Sequence, residues 1–562
     1  MRLRVERSVK ILLNKEILKW IFHKNKVFIP LLSFLILISI LLSSTGVFFA
    51  LASKEVIDAA IENSVQFVPS ILYLAGILML MLILRAVFQY LNVYLAGKVE
   101  VHFKKELYEE ILQKEYLKIA KHHSGDLLNR LNSDISKIGE GFVEILPKLS
   151  YFVFRFVSAF IVLFLIDYLF ALIILGFGLI VLLGGKLFGK RMKRLHTEHQ
   201  ESETKSRSFM QESIENMLVI KSFNANAEMN KRNVELLVDN LKKKINRNNM
   251  SIFASSGVSS VLSVGYFIAI IWGALQIVAG AITFGSLTAI LQLVQQVQSP
   301  FSGMSQLLPK YYGMIASSQR VMEIEDLKDE EEGDLVVMKE EEFKRLIFDQ
   351  VSFGYYSEDY VIRNLSMDIS SQEILRLSGI SGIGKSTILK LMLGLMEPNT
   401  GRIYLELKTG KKIPVGKHTR HIFTYVPQGN LILSGTVRDN IVFNKEDYNM
   451  NQVIAAAKVA EIDEFIKTLP NKYDTVLGER GTGLSEGQVQ RLAIARALMS
   501  DGFILLFDEA TSALDSETEI KILNNIKKLK NKTCVIVSHK DNVSVISEKV
   551  IEIPEQKGEE SI

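Results

Sequence analysis

Long uncharged apolar stretches occupy most of the first half of the chain, whereas short alternating apolar segments occupy the second half. Because a membrane-spanning helix needs about 20 mostly apolar residues, the first half predicts a polytopic helical membrane domain with six transmembrane helices. The two middle stretches are separated by Asp167 alone, which predicts a tight turn between two helices. The stretches occupy 27–51, 67–84, 156–166, 168–185 and, as two spans divided near Ala279–Gly280, 251–309.

The connections between these stretches differ in charge. The connection 97–137 carries eight Lys and Arg residues and 186–247 is also densely basic, whereas 53–67 has one Lys against three acidic residues. Basic loops stay on the cytoplasmic side of a membrane. The pattern therefore predicts a multi-pass protein of the cell membrane with both ends in the cytoplasm. Both basic loops are too long for turns and predict helical extensions beyond the bilayer.

Four regions follow from this division of the chain. Residues 323–342 are rich in acids and lack apolar periodicity, which predicts a solvated linker without a function of its own. The predicted regions are a cytoplasmic lead-in (1–26), a transmembrane domain (27–322), the acidic linker (323–342) and a soluble α/β domain (343–562).

Several polar residues lie at membrane depth. Lys148 and Arg155 share one helical face with Glu144, and the last apolar stretch contains Gln292 and Gln296. Intramembrane charge usually faces protein or water. Arg155, Gln292 and Gln296 are therefore candidates for a hydrated pathway. The alternative is close helix packing through interhelical hydrogen bonds, which we favour for the serines of 251–263.

Net charge and cysteine content limit the kinds of partner and site that the chain can have. Hydrophobic residues make up 48% of the chain, and the formal net charge of +4 is too small to indicate nucleic-acid binding. The single cysteine, Cys534, excludes an intramolecular disulfide and a zinc site made of cysteines. It lies in an apolar run, which predicts a buried strand residue in a reducing compartment.

A glycine-rich segment follows the apolar run 374–377 and precedes the apolar run 388–395. Strand, glycine loop and helix in this order are the context of a phosphate-binding loop, in which backbone N–H groups and the helix dipole face the phosphates. Lys385 is expected to reach the β- and γ-phosphates, and Ser386 to bind Mg²⁺. The other predicted ATP-binding residues of the loop are Gly379, Ser381, Gly382, Gly384 and Thr387.

A second apolar run, 503–507, ends in Asp508 and Glu509. At the end of a buried strand, Asp508 is placed to hold the Mg²⁺ shell and Glu509 to accept a proton from the attacking water. Alone, this segment is also compatible with a strand that ends in two surface acids. Together with the phosphate-binding loop it predicts an ATP-hydrolysing site.

With its further motifs the chain resembles a half-transporter of the ATP-binding cassette (ABC) superfamily, of the exporter kind in which the permease and the ATPase are fused. The resemblance covers almost the whole chain from about residue 20. The segments that carry it, besides those above, are Tyr425–Gln428, Ser434–Ile441, Leu477–Gly481, Leu484–Gln488 with the helix that follows, Ser512–Asp515 and Ser538–His539.

The resemblance implies a six-helix membrane domain fused to an α/β P-loop NTPase domain, with ATP and Mg²⁺ as ligands. It implies that Gln428 couples Mg²⁺ or the attacking water to the membrane half, and that His539 holds the γ-phosphate. A second chain would complete each site, and a homodimer is favoured over a heterodimer. The other implied positions are Tyr355 (stacking on adenine), Ser485, Gly487 and Gln488 (the signature that contacts the partner's ATP) and Asp515 (the D-loop).

The function implied is ATP-driven export of a hydrophobic, amphipathic or peptide-like compound by alternating access. Import on the same fold and a regulatory ATPase that moves nothing are the alternatives. The expected coupling helices lie in 124–134 and 214–223. One departure is Glu486, where the family signature usually has glycine. We expect its carboxylate to point away from the nucleotide and to favour the helix dipole. The alternative is a weakened half-site, as in exporters built from two different chains.

Overall fold

The computed structural model describes residues 15–331, 333–356, 359–380, 382–429, 432–443, 445–478, 483–529, 532–538, 540, 543 and 547–553. Internal contacts divide the chain into two compact units. The first, here the helical unit, comprises Met1–Glu110 and Ser124–Asp326. The second, here the α/β unit, comprises Ile111–His123 and Leu327–Ile562.

The first half of the chain is helical from residue 15 onward, with short connections. A π-helical turn, Arg130–Asp134, precedes α5. The helices are α1 (Ile29–Ile61), α2 (Phe67–Gln113), α3 (Tyr116–Ile119), α4 (Ser124–Asn129), α5 (Ile135–Ile166), α6 (Tyr168–Glu215), α7 (Met217–Ser222), α8 (Asn226–Val278), α9 (Phe284–Gly303) and α10 (Leu307–Glu325).

Within the described residues, four helical stretches are long and apolar enough to cross a membrane. They are Lys26–Ile61, Phe67–Gln113, Ser124–Ile166 and Asn226–Val278, and α6 adds a shorter apolar stretch, Tyr168–Ile180. The predicted helical extensions of the basic loops are present, because α2, α6 and α8 continue far beyond their apolar stretches.

The predicted turns agree with the structure at two places and differ at a third. Asp167 is extended and accepts a hydrogen bond from Phe170 N at the start of α6, and Gly280 (φ 70°) follows the end of α8. The first outer connection is shorter than predicted, because α1 continues through Lys54 to Ile61. Charged residues are compatible with a helix once it has left the apolar region, so hydropathy alone placed its end too early.

The core of the helical unit lies around α9. Ile290, Leu293, Val294 and Val297 of this helix are fully buried, and they belong to the same apolar cluster as Phe170 of α6. Phe170 stacks on the ring of Trp272 with 4.5 Å between the ring centroids. Packing against α1, α5, α6 and α8 therefore surrounds α9 with apolar side chains.

The α/β unit contains two main sheets. One is a five-stranded, all-parallel sheet in the order β11-β3-β10-β9-β6, and the other is an antiparallel sheet in the order β2-β1-β4-β5. The strands are β1 (Phe343–Tyr356), β2 (Asp359–Ser370), β3 (Ile374–Ser378), β4 (Thr400–Leu407), β5 (Lys412–Pro414), β6 (Phe423–Val426), β7 (Gly435–Thr436), β8 (Val476–Leu477), β9 (Ile504–Asp508), β10 (Thr533–Val537) and β11 (Lys549–Glu552).

Two apolar cores cover the two faces of the parallel sheet, and β9 and β10 contribute alternate residues to each. Fully buried strands of this kind are the continuous apolar runs that the sequence contains. The Cys534 side chain is buried in β10, as predicted, and burial raises the pKa of its thiol to about 12. The helices are α11 (Lys385–Met392), α12 (Val437–Val442), α13 (Met450–Val459), α14 (Asp463–Thr468), α15 (Glu486–Met499) and α16 (Ser516–Lys527).

The acidic linker is mostly exposed among its described residues but makes specific contacts. Its first residues belong to α10, which ends at Glu325. The Glu330 carboxylate then accepts two hydrogen bonds from Arg420, at 3.1 and 3.0 Å, and Arg420 also donates to the carbonyls of Leu393 and Gly394. A run of acids without apolar periodicity is therefore held here by a specific cation far along the chain.

Residues 111–123 of the first basic loop belong to the α/β unit. The buried Lys114 side chain pairs with Asp329 at 2.8 Å, and Glu115 N donates to Lys328 O at 3.0 Å. Leu117 packs against an apolar core of the unit, and Lys390 lies 5.9 Å from the ring centroid of Tyr116. The part of this loop that joins the α/β unit is thus α3 and its flanks, whereas 124–134, predicted as a coupling helix, belongs to the helical unit.

Candidate ATP-binding site

The glycine loop lies at the carboxyl end of β3. Gly382 and Gly384 have φ values of 83° and 100°, a backbone conformation that residues with a Cβ rarely adopt. A Cβ on Gly384 would also lie 2.8 Å from Val361 Cγ1. Gly384 is the N-cap of α11, so the loop delivers the backbone directly to a helix N-terminus.

Lys385 opens α11 and its side chain folds over the loop. Its Nζ donates to the carbonyls of Gly379 at 2.8 Å and Ile380 at 2.9 Å, and the residue is only 6% exposed. Burial lowers the pKa of the ammonium, while Glu509 and Asp508 oppose that shift. The loop is therefore built around one buried cation beside two carboxylates.

Asp508 ends β9 and is almost completely buried. Ser386 Oγ donates to its Oδ1 and the Tyr425 hydroxyl donates to its Oδ2, both at 2.9 Å. Burial raises the pKa of Asp508, and these two hydrogen bonds act against that rise. Burial beside Asp508 also raises the pKa of Tyr425, so this hydroxyl stays a proton donor.

Glu509 follows Asp508 with a backbone of the left-handed region, φ 51°, which is uncommon for a residue other than glycine. Its N–H donates to Val537 O of β10 at 3.1 Å, which fixes this conformation to the neighbouring strand. Gln428 Nε2 donates to Glu509 Oε2 at 2.8 Å. A strained position held in this way is typical of functional sites.

These groups meet because β3, β6 and β9 are parallel, so their carboxyl ends lie at one edge of the sheet. Ligands of open α/β sheets bind at this edge. The structure therefore brings together five of the predicted residues: Lys385, Ser386, Gln428, Asp508 and Glu509.

Tyr355 lies on β1 beside the glycine-loop helix. Its hydroxyl is 3.0 Å from Thr387 Oγ1, and its half-exposed ring contacts that of Phe353 edge-on. A cavity of ≈ 570 Å³ adjoins both rings. Leu117, Lys118 and Lys121 of the 111–123 segment contribute to its wall. The wall also contains Glu115, Glu330, Glu331 and Glu397 and no described residue of the glycine loop, so this cavity lies beside Tyr355 without being part of the loop.

The signature segment forms a separate group at the start of α15. Ser485 is the N-cap, and Ser485 and Gln488 exchange hydrogen bonds between side chain and backbone at 2.9 and 3.3 Å. Glu486 is exposed in the first helical turn, where a carboxylate favours the helix dipole. A Cβ on Gly487 would lie 3.0 Å from Ala513 O, so this glycine permits close approach of the D-loop.

The D-loop is tied to the signature helix through Gln490. Gln490 Nε2 donates to Ser512 Oγ and its Oε1 accepts from Ala513 N, both at 3.0 Å. Asp515 caps α16 by accepting from Thr518 N, and these hydrogen bonds lower the pKa of Asp515. On the other side, Lys540 Nζ donates to the carbonyls of Thr511 and Leu514.

Three of these residues were not predicted as parts of the site: Tyr425, Gln490 and Lys540. Tyr425 and Gln490 lie in the sequence motifs described above. Their hydrogen-bond partners are distant along the chain, and the spacing of a motif does not predict such partners. Two predicted residues, Ser381 and His539, lie outside the described residues.

The membrane-depth candidates separate into two kinds. Gln296 is only 5% exposed, and its Nε2 donates to Gly46 O of α1 at 2.8 Å. This interhelical hydrogen bond favours packing as its role, because the side chain is held between two helices. Gln292 is half-buried on the same helix. Arg155 donates to the Tyr151 hydroxyl one turn away on α5.

Comparison with known proteins agrees with this geometry. The chain matches the family model of the ABC transporter transmembrane region over residues 32–301 and that of the ABC transporter over residues 362–512. It is similar to ABC transporter B family member 1 of Dictyostelium discoideum, with 30% identity over 83% of this chain and 52% of the relative. The chain thus spans about half the length of that relative.

Two further similarities cover most of both partners. The chain is 27% identical to the ATP-dependent lipid A-core flippase of Syntrophus aciditrophicus, over 80% of this chain and 74% of the relative. A solved structure of a bacterial Atm1-family ABC exporter with ATP bound has the same fold, with a TM-score of 0.80 and 21% identity over 94% of each chain.

The two family models together span most of the chain, and the fold agrees with them. The chain belongs to the ABC transporter family, with the transmembrane region and the ATP-binding domain fused in one polypeptide. It is a multi-pass membrane protein, as the apolar helices predicted.

Proposed function

We propose that the chain is half of an ATP-driven exporter, which hydrolyses ATP at the carboxyl edge of the parallel sheet and moves an amphipathic or peptide-like compound across the cell membrane. The observation that carries this proposal is the cluster of Lys385, Ser386, Asp508, Glu509 and Gln428 in a chain with a helical membrane unit. The α/β unit and both chain ends would lie in the cytoplasm.

The residues present fit a bound Mg²⁺ ion. This ion prefers hard oxygen ligands and retains several waters beside phosphate oxygens. Ser386 Oγ and Asp508 Oδ1 lie 2.9 Å apart and Gln428 lies beside Glu509, so hydroxyl, carboxylate and amide oxygens are available. Bound Mg²⁺ would neutralise phosphate charge during transfer.

The roles of the side chains follow from their charge and position. Lys385 would exchange its contacts with the carbonyls of Gly379 and Ile380 for phosphate oxygens. Glu509 would accept the proton of the attacking water, with Gln428 holding its carboxylate. The position of Glu509 next to a buried acid, on a backbone fixed by β10, supports this assignment.

A second chain would complete each site, because the signature residues Ser485, Gly487 and Gln488 form a group of their own. Apolar exposure supports dimerisation: Leu218 and Phe223, in and beside α7, are 83% and 78% exposed. A cavity of ≈ 600 Å³ lined by Tyr425, Pro427 and Phe443 offers a matching apolar surface on a partner chain. We favour a homodimer, since Glu509 and the signature cap are both intact.

Coupling to transport would be a population shift. ATP that binds a closed dimer better than an open one biases the helical units towards one orientation. The segment 111–123, which is part of the α/β unit while its neighbours belong to the helical unit, is placed to transmit such a change.

The test is flux and ATP hydrolysis by the purified chain in proteoliposomes. We expect ATP-dependent movement of a fluorescent amphiphile out of the leaflet that faces the α/β units. Hydrolysis without flux of any amphiphile would contradict export.

A mixing experiment tests the shared site. Chains with Lys385→Ala and chains with Ser485→Arg should each be inactive, whereas a mixture should recover ATPase activity. Recovery is expected because each mixed dimer retains one site with an intact loop and an intact signature. If the mixture stays inactive although mixed dimers form, the site is not shared in this way.

A further inference from the structure

The part of α5 that leads into its apolar stretch carries an excess of positive charge. From Glu144 to the end of α5, together with Lys310 of α10 that pairs with it, there are three cations, Lys148, Arg155 and Lys310, and one carboxylate, Glu144. Charged side chains at membrane depth are costly and usually have partners. The sequence therefore raises the question of what balances these cations.

Glu144 is already shared by two of them. Its Oε2 lies 2.5 Å from Lys148 Nζ on α5 and 2.7 Å from Lys310 Nζ on α10. Both lysine side chains are about 40% exposed and keep donors for another acceptor. The cluster as a whole remains positive.

Arg155 has the least compensation. Its guanidinium donates to the Tyr151 hydroxyl and lies 5.4 Å from the centroid of that ring. Its Nε is buried without a hydrogen-bond partner within the described part of the chain. Arg155 is also the deepest cation, since 11 residues separate it from Ile166 at the end of α5. At 1.5 Å per residue this is about 17 Å, near the middle of a hydrocarbon core of about 30 Å.

A second copy of the chain would not balance the charge of this cluster, because it would bring the same three cations and one carboxylate. We infer that the transported compound is an anionic amphiphile whose acidic headgroup pairs with Arg155. This inference rests on the proposed export function and names the class of substrate for it. An arginine fork matches carboxylate and phosphate groups in particular.

The spacing on α5 also gives the headgroup a route. Glu144, Lys148, Tyr151 and Arg155 lie at intervals of three and four residues and form one stripe. Lys148 and Arg155 are about 10 Å apart along the axis. A headgroup would meet Lys148 and Lys310 near the cytoplasmic interface and then Arg155, while its chain stays against apolar side chains such as Phe154 and Val157.

The experiment compares headgroups on one acyl chain. The wild-type chain is reconstituted in phosphatidylcholine vesicles, and ATPase stimulation and flux are measured with lysophosphatidic acid and with lysophosphatidylcholine of equal chain length. We expect half-maximal stimulation at about tenfold lower concentration for the anionic compound, the size of effect that one desolvated charge pair produces. Equal responses to both compounds, with flux intact, would overturn the anionic class and leave export standing.

Three variants locate the preference. Arg155→Met should abolish the difference between the two headgroups, and Arg155→Lys should retain most of it. Arg85→Met is the matched control, because Arg85 is an exposed cation on α2 and should leave the difference unchanged. A preference that survives Arg155→Met, or that is lost equally in Arg85→Met, would overturn the assignment to Arg155. Loss of flux for every compound while hydrolysis continues would count against export itself.

Discussion

Polar side chains are used differently in the two units of this chain. In the α/β unit each buried polar group of the site has a named side-chain or backbone partner, as with Ser386 and Asp508 or Gln428 and Glu509. In the helical unit many hydroxyls donate to their own helix, as Ser39 and Ser43 do, and the cations outnumber the carboxylates. The site in the α/β unit is therefore satisfied by contacts within the chain, whereas the buried Nε of Arg155 in the helical unit has no hydrogen-bond partner among the described residues.

The difference follows from what each unit is proposed to bind. A phosphate site is built from fixed short contacts, because charge must be stabilised at defined atoms. The proposed transport pathway must release what it binds, and a permanent internal acid beside Arg155 would compete with the proposed substrate. The following predictions test this contrast, from the largest expected effect to the smallest.

The largest effect is expected for Glu509→Gln. The amide keeps the size of the side chain but accepts no proton, so ATP hydrolysis should fall by about 100-fold or more while ATP remains bound. Phosphate release and retained nucleotide are the measurements. Glu517→Gln, an exposed acid on α16, is the control. Near-normal hydrolysis in Glu509→Gln would mean that another group is the base.

A large loss of stability is expected for Arg420→Met. The side chain makes four hydrogen bonds, two of them to the Glu330 carboxylate. Its loss should lower the free energy of unfolding of the α/β unit by about 2 kcal/mol, as for hydrogen bonds to charged groups. The exposed pair Arg438–Asp474 is the control, and Arg438→Met should cost less than about 1 kcal/mol. If both variants lower the melting temperature equally, the contact between Arg420 and Glu330 stabilises the unit no more than an exposed ion pair does.

The pH dependence of hydrolysis should change in Tyr425→Phe. The hydrogen bond from Tyr425 lowers the pKa of Asp508, which burial raises. Without the hydroxyl this pKa rises further, and Asp508 is protonated at a higher pH. The acidic limb of the ATPase profile should therefore move to higher pH, while the rate on the alkaline side changes less. A shift to lower pH would show that the hydroxyl does not stabilise the carboxylate.

A smaller effect is expected for Gln296→Leu in the helical unit. Loss of the hydrogen bond to Gly46 should cost about 0.6 kcal/mol, the average for such contacts between membrane helices. Thermal unfolding in detergent measures this, and headgroup preference should not change. Gln292→Leu is the matched variant on the same helix. If Gln296→Leu changes the headgroup preference but not the stability, Gln296 contributes to the substrate pathway and not to helix packing.

The smallest effect is expected for Glu486→Gly. The exposed carboxylate favours the dipole of α15 by about 0.5 kcal/mol, so stability should fall slightly and the ATPase rate should change little. A large rise in the rate would instead mean that Glu486 weakens the site, and would favour a heterodimer in which the partner supplies the better signature.

The sequence predicted which polar side chains meet at the carboxyl edge of the parallel sheet, because phosphate-binding motifs fix both residue types and spacing. Lys385, Ser386, Asp508 and Glu509 occur in short segments at strand ends, and parallel strands then bring them together. Tyr425, Gln490 and Lys540 were missed because their partners depend on tertiary contacts. Helices and their extensions were predictable from hydropathy. The end of α1 and the contact of Glu330 with Arg420 were not, because hydropathy does not show how charged residues are used.

The membership of 111–123 in the α/β unit has a consequence for biosynthesis. The ribosome completes this segment some two hundred residues before it makes Asp329 and the core against which Leu117 packs. The α/β unit can therefore fold completely only when its later residues pack against a segment, 111–123, that was synthesised much earlier. Contacts between residues so far apart in sequence form slowly. A C-terminal fragment that begins at Leu327 would lack Leu117 and Lys114 altogether, and it would expose apolar surface that the whole chain covers.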